Sequence, residues 1–191
     1  MYIDSLCHPT ISGKWFKTED ASFEALSRQL DADPRIEAVC AVGMPTRCFD
    51  AEKFVAFCQQ DSRLIPIAPL LSVELSADSS LGKFLDLGYR GLKIHPRMLN
   101  CHSLDGYHKV LAEAERLGIP VWLCTYYQGP FWPEHDYLHQ LSLITAKFPN
   151  LKLLLVHGGG VRLLEFIEFT RFQPNVLIDL SLTISKYRGS S

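Results

Sequence analysis

Seven short apolar runs, separated by stretches with helical spacing, limit what this chain can fold into more than any other feature. The runs are Tyr2–Ser5, Ile36–Val42, Leu64–Ala68, Gly91–His95, Val121–Cys124, Leu151–His157 and Val176–Leu180. Helical patterns lie between them, over Glu19–Leu30, Asp50–Gln60, Ala77–Leu87, Leu104–Leu117, Pro133–Lys147 and Val161–Phe172. Continuous apolar runs of this length suit strands buried on both faces, as in a parallel sheet covered by helices. Strict alternation of strand and helix then implies right-handed crossovers. Local signals agree. Asp50 is placed to cap a helix, Pro133 suits a first turn, and Gly118 suits a helix stop. Tyr107, Val110, Leu111 and Ala114 form one apolar stripe, so that helix packs on a sheet.

An open doubly wound sheet and a closed barrel both satisfy such alternation. No G-x-G-x-x-G follows the first run, which removes the dinucleotide-binding version. The apolar runs instead end on polar groups: His8, His95, Cys124, His157 and Ser181. Groups converging at the strand ends are a barrel's arrangement. A complete barrel has eight strands and roughly 250 residues, against seven runs in 191 residues here. The expectation is therefore an α/β, TIM-barrel-like repeat, incomplete, with about seven parallel strands in one domain over residues 1–191.

The sixth run carries the strongest site signal, Leu151-Lys152-Leu153-Leu154-Leu155-Val156-His157-Gly158-Gly159-Gly160. An ionisable His157 breaks the apolar pattern at the strand end, and glycines there let the backbone turn tightly beside a ligand. A hydrogen-bonded core histidine in a plain strand-to-helix turn is the alternative.

Composition narrows the partners. A net charge of -2 gives no electrostatic reason to bind nucleic acid or an anionic membrane. No apolar run reaches the ~18 residues of a membrane span, and Met1-Tyr2-Ile3-Asp4 lacks the build of a signal peptide. The 6 cysteines are scattered without C-x-x-C pairs, as expected of reduced thiols in a cytoplasmic protein.

Five segments, in order and in register, carry a family resemblance. They are Ile3-Asp4-Ser5-Leu6-Cys7-His8-Pro9, Gly88-Tyr89-Arg90-Gly91-Leu92-Lys93-Ile94-His95-Pro96, Leu117 through Thr125, Phe148 through Gly159, and Asn175 through Ser181. Over this span the chain resembles the amidohydrolase-related metal-dependent hydrolases. The similar branch includes aminocarboxymuconate-semialdehyde decarboxylase and pyrone-dicarboxylate lactonase.

The resemblance implies a metal held at strand ends, and the departures from it are specific. The family's opening Ile-Asp-x-His-x-His keeps only His8, with Leu6 at the first histidine position. Leu6 and His8, two apart on a strand, would share a face from which Cys7 points away. Cys124 stands where the family commonly has another metal histidine, while His157 matches. The strand ending in Gly-Ser-Asp that supplies the family's catalytic aspartate is not found before Ser191. The remaining candidate ligands are His8, Cys124 and His157, a set whose thiolate favours zinc. Loss of the metal is the alternative.

Lys93 and His95 fall in the Lys-x-His-Pro segment that the family keeps beside substrate. His95 is the candidate acid/base or orienting group. Lys93 is a candidate cation for a substrate carboxylate, or a partner of Asp4 or Asp179. Arg97 adds a positive charge that suits an acidic substrate or an ordinary surface. The loop Thr125–Pro133 concentrates aromatics, and Tyr126, Tyr127 and Trp132 are candidate walls of a substrate pocket or of an oligomer contact. His102, His108, His135 and His139 read as surface residues.

Two functions follow. One is an enzyme that hydrolyses, or non-oxidatively decarboxylates, a small carboxylated or cyclic substrate. The other is a catalytically silent barrel kept for binding or assembly. A seven-stranded barrel also leaves backbone edges at Tyr2–Ser5 and Val176–Leu180, which proteins normally cover. Closure by a second copy in a dimer, or by residues after Ser191, is the expectation, and the ending Gly-Ser-Ser reads as cut rather than capped.

Overall fold

The structure is a computed structural model that describes residues 2–15, 18–46, 49–73, 81–101, 103–126 and 137–183. Contacts divide the chain into two compact units. One is built on Met1–Leu71 with Ser80–Lys93, the other on Ser72–Ser79 with Ile94–Ser191.

The first unit holds β1 (Tyr2–Cys7), β2 (Lys14–Trp15), β3 (Glu19–Asp20), α1 (Phe23–Ala32), β4 (Ile36–Val42), α2 (Ala51–Cys58), β5 (Leu64–Pro69) and α3 (Leu81–Leu87). It also holds β6 (Gly91–Ile94) as far as Lys93. Strand β4 pairs in parallel with β1 and with β5, and β5 pairs in parallel with β6. Ala41, Val42 and Ile67 are fully buried, as expected of strands covered on both faces. An aromatic cluster ties the helices of this unit to one another and to the segment before β6. Phe54 meets Phe23 edge-on at 5.3 Å, and Phe84 meets Tyr89 edge-on at 5.3 Å, geometries that ring quadrupoles favour. The buried Tyr89 hydroxyl donates to the Ala51 carbonyl at 2.9 Å, so it brings no orphaned polar atom into the core.

The expected helix over Glu19–Leu30 needs correction. Glu19 and Asp20 pair antiparallel with Lys14 and Trp15, and the helix begins only at Phe23. Acidic residues suit a first helical turn, which makes this pair look helical in sequence. Here Asp20 Oδ1 accepts from the Ser22 amide and hydroxyl instead, at 3.1 and 2.7 Å. Ser22 Oγ then accepts from the Ala25 amide at 3.1 Å and caps the helix. Asp50 caps α2 as expected, accepting from the Lys53 amide at 2.9 Å.

The second unit holds α4 (His108–Leu117), β7 (Val121–Cys124), α5 (Tyr137–Lys147), β8 (Leu153–Val156), α6 (Leu163–Thr170) and β9 (Val176–Ile178). A 3₁₀ turn, Leu104–Tyr107, leads into α4, and Gly118 ends that helix at φ 68°. The predicted stripe Tyr107, Val110, Leu111 and Ala114 is buried. Strand β8 pairs in parallel with β7 on one side and β9 on the other. The expected helix starts at Ala77 and Pro133 lie outside the described residues.

Among the described residues seven parallel strands alternate with helices, with β2 and β3 as an added hairpin. The fold class is α/β, of the TIM-barrel type. Among the described residues no helix is long and apolar enough to cross a membrane.

Candidate active site

His157 directly follows β8, where the apolar strand gives way to glycine. Strand pairing sets Cys124 against Val156, so the end of β7 and the start of the glycine turn are neighbours. His157 itself takes φ 69°, and Gly158, Gly159 and Gly160 continue at 54°, 70° and 58°. Three of these four positive-φ residues are glycine, which adopts that backbone at no steric cost, and His157 is the exception. At Gly159 the space is filled as well, because a Cβ there would stand 2.5 Å from Phe166 Cε2. Two threonines fasten the turn. The Gly159 amide donates to Thr125 Oγ1 at 2.8 Å, and that hydroxyl donates to the Val156 carbonyl at 2.7 Å. Thr183 Oγ1 donates to the His157 carbonyl at 2.6 Å.

The His157 ring is buried, and its Nδ1 lies 2.7 Å from the Ser181 carbonyl oxygen. A carbonyl only accepts, so Nδ1 carries the proton, and in the neutral ring Nε2 keeps its lone pair. Ser181 Oγ lies 3.0 Å from the same Nδ1. Its hydroxyl donates in a short bond to Asp179 Oδ1, which also accepts from the Ser181 amide at 3.1 Å. Tyr126 meets the His157 ring edge-on at 5.3 Å, and the Arg97 guanidinium stands over the Tyr126 ring at 5.7 Å. A cation, an aromatic ring and an imidazole therefore follow one another, with the exposed Arg97 at the outer end.

The other candidates divide between the units. In the first, His8 follows β1 half-buried, with Nδ1 2.9 Å from the Val42 carbonyl, which again leaves Nε2 as the electron-pair donor. Trp15 of the hairpin stacks on its ring at 5.6 Å. Strand β1 is irregular between Asp4 and Cys7, so the simple two-residue alternation expected of Leu6 and His8 is interrupted there. Burial, with Asp4 nearby, pushes the Cys7 thiol up to about 11, away from easy thiolate formation. Lys93, also in the first unit, is buried in β6. In the second unit His95 is buried just past β6, and its carbonyl accepts from the Met98 and Leu99 amides at 3.0 and 3.1 Å. Cys124 is buried at the end of β7. Tyr127 and Trp132 lie outside the described residues.

Arg97, Tyr126 and His157 are thus brought together, while Trp15, Thr125 and Thr183 supply support that sequence reasoning did not assign. Asp179, nominated there as a partner of Lys93, braces the Ser181 turn beside His157. A polar residue just beyond an apolar strand was the available signal for Thr125 and Asp179. Trp15 carried none. Among the described residues no three His, Cys, Asp or Glu side chains gather in a group able to hold a metal ion.

Comparisons with known proteins agree with this architecture. A family model described as Amidohydrolase matches residues 8–190. An uncharacterised TIM-barrel protein from Bordetella bronchiseptica is similar with a TM-score of 0.70 at 19% identity, over 93% of this chain and 74% of that one. A probable 2-pyrone-4,6-dicarboxylic acid hydrolase from Acinetobacter baumannii, with citric acid bound, is similar with a TM-score of 0.66 at 18% identity, over 94% and 70%. A dihydroorotase from Campylobacter jejuni is similar with a TM-score of 0.62 at 16% identity, over 99% and 58%. No curated protein sequence matches the chain.

Proposed function

The chain belongs to the amidohydrolase family of enzymes, and from that premise we propose that it hydrolyses a small carboxylated or cyclic substrate. The observation that carries the reading is the His157 ring. The Ser181 carbonyl at 2.7 Å holds the proton on Nδ1, so Nε2 presents a lone pair in a defined direction. An imidazole in that state accepts a proton from water as the water adds to an ester, lactone or amide carbon. The same proton then passes to the departing oxygen or nitrogen, and the scissile bond breaks with net uptake of one water.

Arg97 is the group that draws in a carboxylate, and Tyr126, beneath its guanidinium, is a flat wall for a ring. His95 is the second acid/base or orienting group, and Lys93 is a cation for the substrate, each as the sequence suggests. Tyr127 and Trp132 belong to the same substrate-binding proposal. The similar pyrone-dicarboxylic acid hydrolase, with its bound citric acid, supports a carboxylated substrate. Decarboxylation is the competing reaction within the same substrate class, since it also begins from a bound carboxylate.

Zinc is the alternative occupant, with Cys124 and His157 in the second unit and His8 in the first as the residues nominated to meet it. His157 Nε2 would then ligate the metal instead of taking a proton, leaving His95 as the acid/base group. The described donors do not by themselves make a three-ligand site, so no step is routed through a metal. A cytoplasmic location and assembly as a homo-oligomer complete the proposal. The test is turnover of carboxylated lactones and cyclic amides, with carbon dioxide measured in parallel. Ring opening without carbon dioxide, abolished in His157→Gln, supports the reading. Release of carbon dioxide, or full activity in His157→Gln, overturns it.

A further inference from the structure

Asp179 organises the turn that faces His157 Nδ1, on the side of the ring opposite the reactive Nε2. Leu180 to Thr183 form a tight turn, closed by the Thr183 amide donating to the Leu180 carbonyl at 3.1 Å. Its third residue, Leu182, takes φ 61°. Positive φ at that position belongs to turns whose central peptide is flipped relative to the common type, and glycine or asparagine normally occupies it. A leucine there is strained, and such strain persists only where its surroundings over-determine it. The carbonyl of Ser181, the second residue of that turn, is the one that lies 2.7 Å from His157 Nδ1.

The restraint comes from Asp179. Its Oδ1 accepts from the Ser181 amide at 3.1 Å, from the Ser181 hydroxyl, and from the His157 amide at 3.5 Å. One carboxylate oxygen therefore fastens both the residue that supplies the acceptor and the residue that supplies the ring. Because the Ser181 proton goes to Asp179, the serine oxygen turns a lone pair toward Nδ1, 3.0 Å away. Both Ser181 oxygens then accept from the same N–H, and neither offers a proton to the ring.

We infer that Asp179 is the positioning residue of the His157 centre, acting through Ser181 to lock the imidazole as its Nδ1–H tautomer. The inference rests on the reading of His157 as the group that acts through Nε2. Without the carboxylate, the Ser181 hydroxyl is released to donate to Nδ1, which moves the ring proton to Nε2 and removes the lone pair the chemistry needs. A merely structural Asp179 would support stability and leave the tautomer alone.

The experiment reads the tautomer directly, by nitrogen NMR of full-length protein carrying ¹⁵N-histidine, with His157→Gln assigning the signal. Wild-type protein is expected to show a protonated, pyrrole-type Nδ1 and a pyridine-type Nε2 at His157. In Asp179→Ala the two signals should converge or exchange character, with kcat falling about 10- to 100-fold, the usual range for such support groups, and KM changing little. Ser181→Ala should give a smaller convergence, and Ser181→Thr should restore the wild-type pair. If Asp179→Ala does not fold, Asp179→Asn and Ser181→Ala carry the test. Wild-type nitrogen signals in every folded variant would overturn the inference. A shifted tautomer alongside full activity in His157→Gln would instead retain the positioning role and sink the proposed function.

Discussion

Replacing Gly159 by alanine should destabilise the second unit through two separable effects. The residue sits at φ 70°, where an L-residue other than glycine costs about 1–2 kcal/mol. The new Cβ would also stand 2.5 Å from Phe166 Cε2 and 2.8 Å from its Cγ. Phe166 is fully buried on α6, so its ring has little room to retreat, and overpacking of this kind costs about 1–3 kcal/mol. Together these give roughly 2–5 kcal/mol, or a melting temperature lower by roughly 4–20 °C for a chain of this length. Urea denaturation of Gly159→Ala, Phe166→Leu and the double variant tests both terms. Leucine removes the clashing ring edge, so the second substitution should cost less in the alanine background, with a coupling of about 1–2 kcal/mol. The backbone cost should survive in the double variant. Additivity within about 0.5 kcal/mol, or a single-variant loss below about 1 kcal/mol, would refute the account.

Other expectations follow from particular contacts. Arg63 and Ser27 hydrogen bonds hold the Asp61 carboxyl well below the usual carboxylate range. A depressed folded value adds stability that is fully present above the ordinary pKa of about 3.9 and is lost progressively as pH falls from there through the folded value. Asp61→Asn should therefore be less stable than wild type at pH 7, with the gap narrowing but not closing at pH 2, in denaturation midpoints. Burial pushes the Cys58 thiol up to about 12, so iodoacetamide at pH 8 should label it only after denaturant is added, as counted by mass spectrometry. Arg97→Ala should raise KM for a dicarboxylate by about 10-fold or more and leave KM for a neutral analogue unchanged, measured side by side. Val161, Leu164 and Ile167 are exposed, with Leu164 at 80%, so Leu164→Glu should weaken the proposed self-association in sedimentation without lowering stability.

Much of the scaffold was legible because its causes are local. Ile36–Val42 and Val121–Cys124 are strands over the lengths their apolar runs suggest, Asp50 caps its helix, and Gly118 ends another. The position of His157 at the end of a buried run, followed by glycines, was likewise readable along the chain. The hairpin was not. Its two strands are two residues each, too short for a periodicity, and Asp20 looks the same in a helix start and in a turn beside Ser22.

What tertiary structure alone decided is the chemical state of the site. The sequence determined that an imidazole stands at the end of β8, but which nitrogen holds its proton depends on the Ser181 carbonyl, 24 residues away on the neighbouring turn. Leucine at position 182 gives no sign of a left-handed backbone, because its intrinsic preference opposes one. Likewise, Arg97 and Tyr126 are unrelated along the chain and become a stack only when their elements pack. Periodicity and capping act within a few residues. Tautomers, stacked rings and shared hydrogen bonds are set by whichever groups the fold brings within about 3–6 Å, and residue types do not carry that information.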